Sequence, residues 1–391
     1  MILRLIFLTA LVICPALAQR NIGSVEVNVD SSTIAVRVAG STPELNALAL
    51  QAFKAHGRYR LVASGQAYDL RFTLVGTNQV KVDITRGAAG SPVASEVATG
   101  ATARQALLKA ADIAVVKTNG LGLKGFFSAR LAFVGERTGK KELYLSDLFL
   151  GDAKQITNDR ALVLTPRWSP DGSKLLFTSF FKTGFPDVFQ YDVNTFQRTT
   201  FISFRGTNSG ARFSPSGQQV AVILSGEGTP EIYVTNSQGR APQRRTRSDA
   251  VKSSPCWSPD GSRLVFTMEP GPQLYVMSAG GGAPQRLSTG FSYTAEPDWS
   301  RVSNKIACTV RTGGGQYQIA VVDPTVGKAS VVSKASFDGI EPSWLGDGRH
   351  VVYTARDRTT SVVCILDTET GRSTPITATF GPAMQASVWT P

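Results

Sequence analysis

Trp168-Ser169-Pro170-Asp171-Gly172 recurs as Trp257-Ser258-Pro259-Asp260-Gly261. Weaker copies are Phe213-Ser214-Pro215-Ser216-Gly217 and Trp344-Leu345-Gly346-Asp347-Gly348, while Trp299-Ser300 keeps only the start and Trp389-Thr390-Pro391 breaks off. The aromatic positions 168, 213, 257, 299, 344 and 389 stand 42–45 residues apart, and all five Trp of the chain fall among them. Within each copy the turn chemistry is local. Pro presets φ at the second turn position, Asp suits the third, and Gly takes the left-handed conformation that closes the turn. Apolar runs follow: Leu175-Leu176-Phe177, Val220-Ala221-Val222, Leu264-Val265-Phe266, Ile306-Ala307-Cys308 and Val351-Val352-Tyr353. A third strand and a more polar fourth complete each unit. Four strands at this period make a propeller blade.

Working outward, the first unit begins at Leu131-Ala132-Phe133 and lacks an aromatic strand upstream, whereas the last aromatic strand, Met384 to Trp389, has no unit after it. The C-terminal strand is therefore expected to close blade one from the inside. The fold expected is mainly β with a smaller α/β domain: a six-bladed β-propeller over residues 126–391, preceded by an N-terminal α/β domain over 19–125. In that domain Ser41 or Thr42 is placed to cap a helix with Pro43 in its first turn and Gly57 at its end. Strands are expected near 60–63, 68–75, 80–85 and 93–99, and a second helix from Thr102 to about Lys117. The Trp are read as core between blades.

Residues 1–18 read as a signal peptide: Arg4, an apolar run from Leu5 to Ile13, and Ala16-Leu17-Ala18 as a cleavage site. Ile13 before Cys14 argues against a lipoprotein. The expected location is the periplasm. The formal net charge is +12, which removal of the leader lowers by one. Such a charge favours an anionic partner or serves solubility alone. Export argues against nucleic acid. Cys256, Cys308 and Cys364 are odd in number and at strand-like positions, which favours buried free thiols over a bridge.

A search for chemistry finds little. His56 is placed at a helix end, complementing the dipole, and His350 at a turn. The chain carries no Gly-x-Ser-x-Gly, no His-Glu-x-x-His and no clustered metal ligands, so no catalytic residue, metal or cofactor is expected. Arg240, Arg244, Arg245 and Arg247 form a basic cluster, read as a solvated turn or an anionic docking patch. Three residues before each aromatic stand Thr165, Gly210, Ser254, Glu296, Glu341 and Ala386, expected to ring one channel mouth and to bind a partner, with Pro166, Pro255, Pro297 and Pro342 stiffening the ring.

The junction Gly125-Phe126-Phe127-Ser128-Ala129-Arg130-Leu131-Ala132-Phe133-Val134, the Trp-Ser-Pro-Asp-Gly repeats, Gly282-Ala283-Pro284-Gln285-Arg286-Leu287 and the ending at Trp389-Thr390-Pro391 resemble the TolB family of the Tol–Pal system. The resemblance implies a non-catalytic periplasmic adaptor, expected as a monomer. It would bind the peptidoglycan-associated lipoprotein Pal through one mouth of the propeller and meet the outer-membrane periphery through Pal. An N-terminal arm, Gln19 to about Val29, would communicate with TolA. The system maintains outer-membrane integrity during cell division. The resemblance places the Pal-facing loop at Thr207, Asn208, Ser209 and Gly210, with Ala295 and Glu296 contributing. Thr207 stands where the family often has His. Two other classes remain beside this one: a propeller that binds an anionic envelope polymer, and a propeller hydrolase.

Overall fold

The computed structural model describes residues 33–391. The signal peptide and the arm lie outside the described residues.

The N-terminal unit is a five-stranded sheet in the order β2-β1-β3-β4-β5. Its strands are β1 (Ile34–Gly40), β2 (Tyr59–Leu61), β3 (Tyr68–Gly76), β4 (Gln79–Arg86) and β5 (Ser91–Thr99). β1 runs parallel to β2 and β3, and β3, β4 and β5 form an antiparallel meander. The sequence reading omitted β1, yet β1 holds an inner place in the sheet, with Val36 and Val38 buried. Its seven residues alternate only weakly, and its parallel partners lie beyond a helix, so nothing local announces it. Helices α1 (Pro43–Ala55) and α2 (Ala103–Thr118) pack on the sheet. The hydroxyl of Thr42 accepts from Leu45 N–H and that of Thr102 from Gln105 N–H, so each helix satisfies one of its unpaired first-turn donors with a Thr cap. Gly57 does not end α1 by a left-handed turn. It is glycine because Asp367 of the propeller crosses there: a Cβ would lie 2.0 Å from the Asp367 carboxylate.

Six four-stranded sheets follow. The innermost strands of blades two to six are Val163–Trp168, Asn208–Phe213, Val251–Trp257, Thr294–Trp299 and Asp338–Trp344. The C-terminal strand Ala383–Trp389 pairs antiparallel with Arg130–Gly135 and is the inner strand of blade one. The outermost strands are short, two to five residues, and leave little open edge. Trp168, Trp257, Trp299 and Trp344 are 3–6% exposed. The indoles of Trp168, Trp257 and Trp344 donate to carbonyls of the preceding inner strand, at Ser387, Arg212 and Asp298. Each such ring joins two blades, and truncating a buried Trp costs roughly 3–5 kcal/mol.

The register of the repeat needs one correction. Trp168 pairs with Leu175, but the equivalent Leu131 pairs with Val388, so Trp389 lies one residue beyond the repeat position. There its ring stands 6.3 Å from that of Trp168, its N–H donates to Pro170 at 3.0 Å, and it covers Gly172, where a Cβ would fall 2.3 Å from the indole.

The two domains share one apolar cluster, which includes Phe53, Tyr59, Phe126, Phe127 and Leu345. Asp112 of α2 holds the connection: its carboxylate accepts from the N–H groups of Phe126, Phe127 and Ser128 at 2.8–2.9 Å. His56 and His350 meet at this junction with ring centroids 4.5 Å apart, and Phe126 touches both. Both are fully buried. His56 does stand at the end of α1, as its C-cap, but its expected dipole role and the placement of His350 at a turn are corrected. His350 begins a strand and contacts Asp347 through Nδ1 at 2.6 Å. Burial, with the nearby charges of His350 and Arg349, holds the His56 pKa well below the usual value. A neutral ring has no charge to offer the helix dipole. Cys256, Cys308 and Cys364 are free and buried.

Candidate partner-binding surface

Each inner strand runs from one face of the propeller to the other. One face carries the Ser-Pro-Asp-Gly hairpins and the N-terminal domain. The opposite face carries the blade-to-blade connections and the second hairpin of each blade, and is here called the loop face. Midway along every inner strand a bulge interrupts the pairing. The bulged residues have positive φ: Thr165 (49°), Gly210 (62°), Ser254 (51°), Glu296 (55°), Glu341 (57°) and Gln385 (53°). The sixth member is Gln385, not Ala386, because of the one-residue offset at the closing strand. Non-glycine residues take this conformation only when their surroundings hold them there.

The hold is a relay of hydrogen bonds from blade to blade. Glu296 accepts from Glu341 N–H at 2.9 Å and from the Thr309 hydroxyl at 2.7 Å. Glu341 accepts from the side-chain amide of Gln385 at 2.9 Å, and Gln385 accepts from Thr165 N–H at 2.8 Å. These side chains line a small cavity of about 70 Å³ together with Arg167 and Arg212. Burial and the charge of Glu341 raise the pKa of Glu296. Thr165, Gly210, Ser254, Glu296 and Glu341 therefore line the interior of the channel, and not its rim as the spacing suggested. A strand position fixes which blade a residue occupies, but depth in the channel depends on where the bulge falls.

The other expected site residues lie nearer the loop face. Thr207 is half-buried, and its N–H donates to Ser225 Oγ at 2.8 Å. Ser209 is half-buried in the strand, and Ala295 is buried. Asn208 is fully buried, and its side chain stitches two loops together. Its amide donates to Phe204 O at 2.8 Å, Gly206 O at 3.2 Å and Pro186 O at 3.3 Å, and its carbonyl accepts from Phe204 N–H at 3.0 Å.

Those two loops, residues 180–186 and 203–207, carry what the sequence reading missed. Phe181, Phe185 and Phe204 are 48%, 67% and 48% exposed. Leu162 is exposed on the adjoining connection, which accepts from Phe180 N–H. The Arg198 guanidinium lies 4.5 Å from the ring centre of Phe181. The signal was present: blades three and five have Ser225-Gly226-Glu227-Gly228 and Thr312-Gly313-Gly314-Gly315 at the hairpin where blade two has Phe180-Phe181-Lys182-Thr183-Gly184-Phe185. Apolar residues at a turn tip bury nothing in the fold itself.

Within the basic cluster, two arginines are engaged and two are exposed. Arg244 pairs with Glu227 and Glu231, Arg245 donates to Gly280 O, and Arg240 and Arg247 are exposed. The ligand atoms of His56, Asp347 and His350 lie within 4.8 Å of one another, a grouping that no sequence spacing announced. The Arg58 N–H donates to His56 Nδ1, which puts the ring proton on Nε2, and the charge of Arg349 bears on the same ring. This set reads as interdomain packing.

A family model described as the TolB beta propeller domain matches residues 120–391. A TolB homolog of Chlorobium chlorochromatii is 34% identical over 145 residues, covering 37% of this chain and 32% of that protein. The Tol-Pal system protein TolB of Bordetella pertussis is 30% identical over 218 residues, 56% of this chain and 47% of its own length. The chain thus spans between a third and a half of the curated relatives it matches. The crystal structure of TolB from Acinetobacter baumannii superposes with a TM-score of 0.79 at 24% identity, over 91% of this chain and 96% of that one, which establishes a shared fold. With the family's propeller matched from the interdomain connection to the last residue, the chain belongs to the TolB family.

Proposed function

We propose that this chain is a periplasmic, non-catalytic adaptor of the Tol–Pal system that binds the peptidoglycan-associated lipoprotein Pal through the loop face of its propeller, and so supports outer-membrane integrity during cell division. The observation that carries the reading is the patch of Phe181, Phe185 and Phe204, displayed on loops that Asn208 holds together. Exposed aromatic side chains on a rigid support bind a protein at low ordering cost. They flank Thr207 to Gly210, the loop that the family resemblance assigns to Pal. Among the described residues, the N-terminal domain sits on the hairpin face and leaves the loop face open. The arm that would reach TolA precedes the described residues. Among those residues, no helix is long and apolar enough to cross a membrane. A hydrolase that depends on histidine is disfavoured by the full burial of His56 and His350 between the domains.

The test is calorimetry of the full chain with the soluble domain of the Pal-like lipoprotein from the same source. Saturable one-to-one binding is expected, weakened about tenfold or more in a Phe185→Ser, Phe204→Ser double variant, as for interface aromatic anchors. Absence of binding between folded proteins, or wild-type affinity in the double variant, overturns the reading.

A further inference from the structure

At the hairpin face the channel opens into a cavity of about 320 Å³. Its wall is built from the residue just before each repeat position, one per blade: Arg167, Arg212, Cys256, Asp298, Ser343 and Ser387. Two of the six are arginines on adjacent blades. A third arginine comes from a break in the repeat. Where blades two, three and four have Ser-Pro at the hairpin, blade five has Ser300-Arg301, and Arg301 lines the same cavity. Lys124 adds a positive charge at the edge.

Asp298 is the one acidic side chain in this wall, and it is already engaged. One carboxylate oxygen takes the Arg212 guanidinium across the channel, and the other accepts Trp344 N–H at 2.6 Å. Among the described residues, the Arg167 side chain makes a single hydrogen bond, from Nη1 to the carbonyl of neighbouring Pro166 at 2.9 Å. Burial and the charge of Arg212 push its pKa down to about 10. Arg301 has neither a hydrogen-bond nor an ion-pair partner among the described residues. Arg167 is half-buried and Arg301 exposed, and both line the cavity with guanidinium donors left free to meet an anion.

We propose that this cavity is a binding site for a phosphate dianion, free or as a phosphomonoester, held by Arg167 and Arg301 beside the Arg212–Asp298 pair. Three guanidiniums and Lys124 against one side-chain carboxylate leave a positive excess that favours a multiply charged anion. The planar donor forks suit phosphate oxygens. The volume lies at the low end of ligand cavities, which fits a small head group and not the body of a polymer. Pro215, Pro259 and Val302 give the opening an apolar rim against which the carbon side of an ester would lie. The site is on the face opposite the phenylalanine patch, so it stands or falls independently of Pal binding.

The test is calorimetry of the full chain, in a phosphate-free buffer, with inorganic phosphate, glycerol phosphate, acetate and a Glu-rich peptide. A parallel arm measures recruitment to vesicles that contain phosphatidic acid. Saturable binding of the phosphates is expected, with acetate far weaker. Arg301→Ala, in an exposed hairpin, should weaken phosphate at least about tenfold and abolish the rise in melting temperature that phosphate gives the wild type. Vesicle recruitment lost in Arg301→Ala would place the phosphate on a lipid, whereas glycerol phosphate binding without recruitment would place it on a soluble or glycan molecule. No saturable phosphate binding, unchanged binding in Arg301→Ala, or tighter binding of the acidic peptide would overturn the assignment.

Discussion

Glu296 shows how a single residue bears strain and charge together. Its backbone sits at a positive φ, and its carboxylate faces Glu341 inside a narrow channel. Burial and then the Glu341 charge raise its pKa above the ordinary 4.5, against the pull of its bonds from Thr309 and Glu341 N–H. The sign of the stability effect follows. Above pH 4.5 the unfolded carboxylate ionises freely while the folded one resists, so this residue costs stability progressively as pH rises through its folded value. Glu296→Gln keeps an oxygen to accept both hydrogen bonds and removes the charge. The variant should melt higher than wild type at pH 7, and the gap should close by about pH 4. Melting curves at the two pH values decide it, and a variant less stable at both would show that the carboxylate is favourably placed.

At the scale of elements, the connection between α2 and the propeller hangs on Asp112. Its two oxygens take three consecutive backbone N–H groups, so the chain turns out of the helix and delivers Phe126 and Phe127 into the shared core. Asp112→Ala would strand those donors, and each unsatisfied buried donor costs about 1–3 kcal/mol. An overall loss of roughly 3 kcal/mol or more is expected in denaturant titrations, with Asp112→Asn intermediate because its one oxygen still accepts. A loss under about 1 kcal/mol for Asp112→Ala would mean that water replaces the carboxylate. Elements were also where the sequence was most legible. Helix caps, the Ser-Pro-Asp-Gly hairpins and the closing strand all depend on neighbours within a few residues, or on a unit visibly lacking its strand. β1 was missed because its identity rests on parallel partners beyond a helix, and the offset at Trp389 because a bulge moves the register without changing composition.

For the whole molecule, the two domains meet at the junction of His56, His350 and Phe126. His56 is kept neutral by burial first, then by the charges of His350 and Arg349. In the unfolded chain it takes up a proton below about pH 6.5, and in the folded chain it does not, so stability falls as pH drops below that value towards the folded pKa. His350, Arg349, Asp347, Arg58, Asp367 and Tyr59 are titratable or charged groups gathered around it. The melting temperature of wild type should fall between pH 7 and pH 5 relative to His56→Phe, whose ring keeps the aromatic packing. Parallel curves for the two proteins would remove His56 as the source.

The sequence by itself determined the six blades, their closure by the last strand, the α/β N-terminal module and the family. Each of those rests on turn chemistry and spacing that repeat along the chain, so local interactions decide them. Only the tertiary structure decided that Glu296 and Glu341 lie inside the channel, that Phe181, Phe185 and Phe204 gather on one face, that Arg167 and Arg301 face one cavity, and that the two histidines touch. The residues of each set come from separate loops, blades or domains, and closing a ring of blades fixes distances that no spacing along the chain encodes.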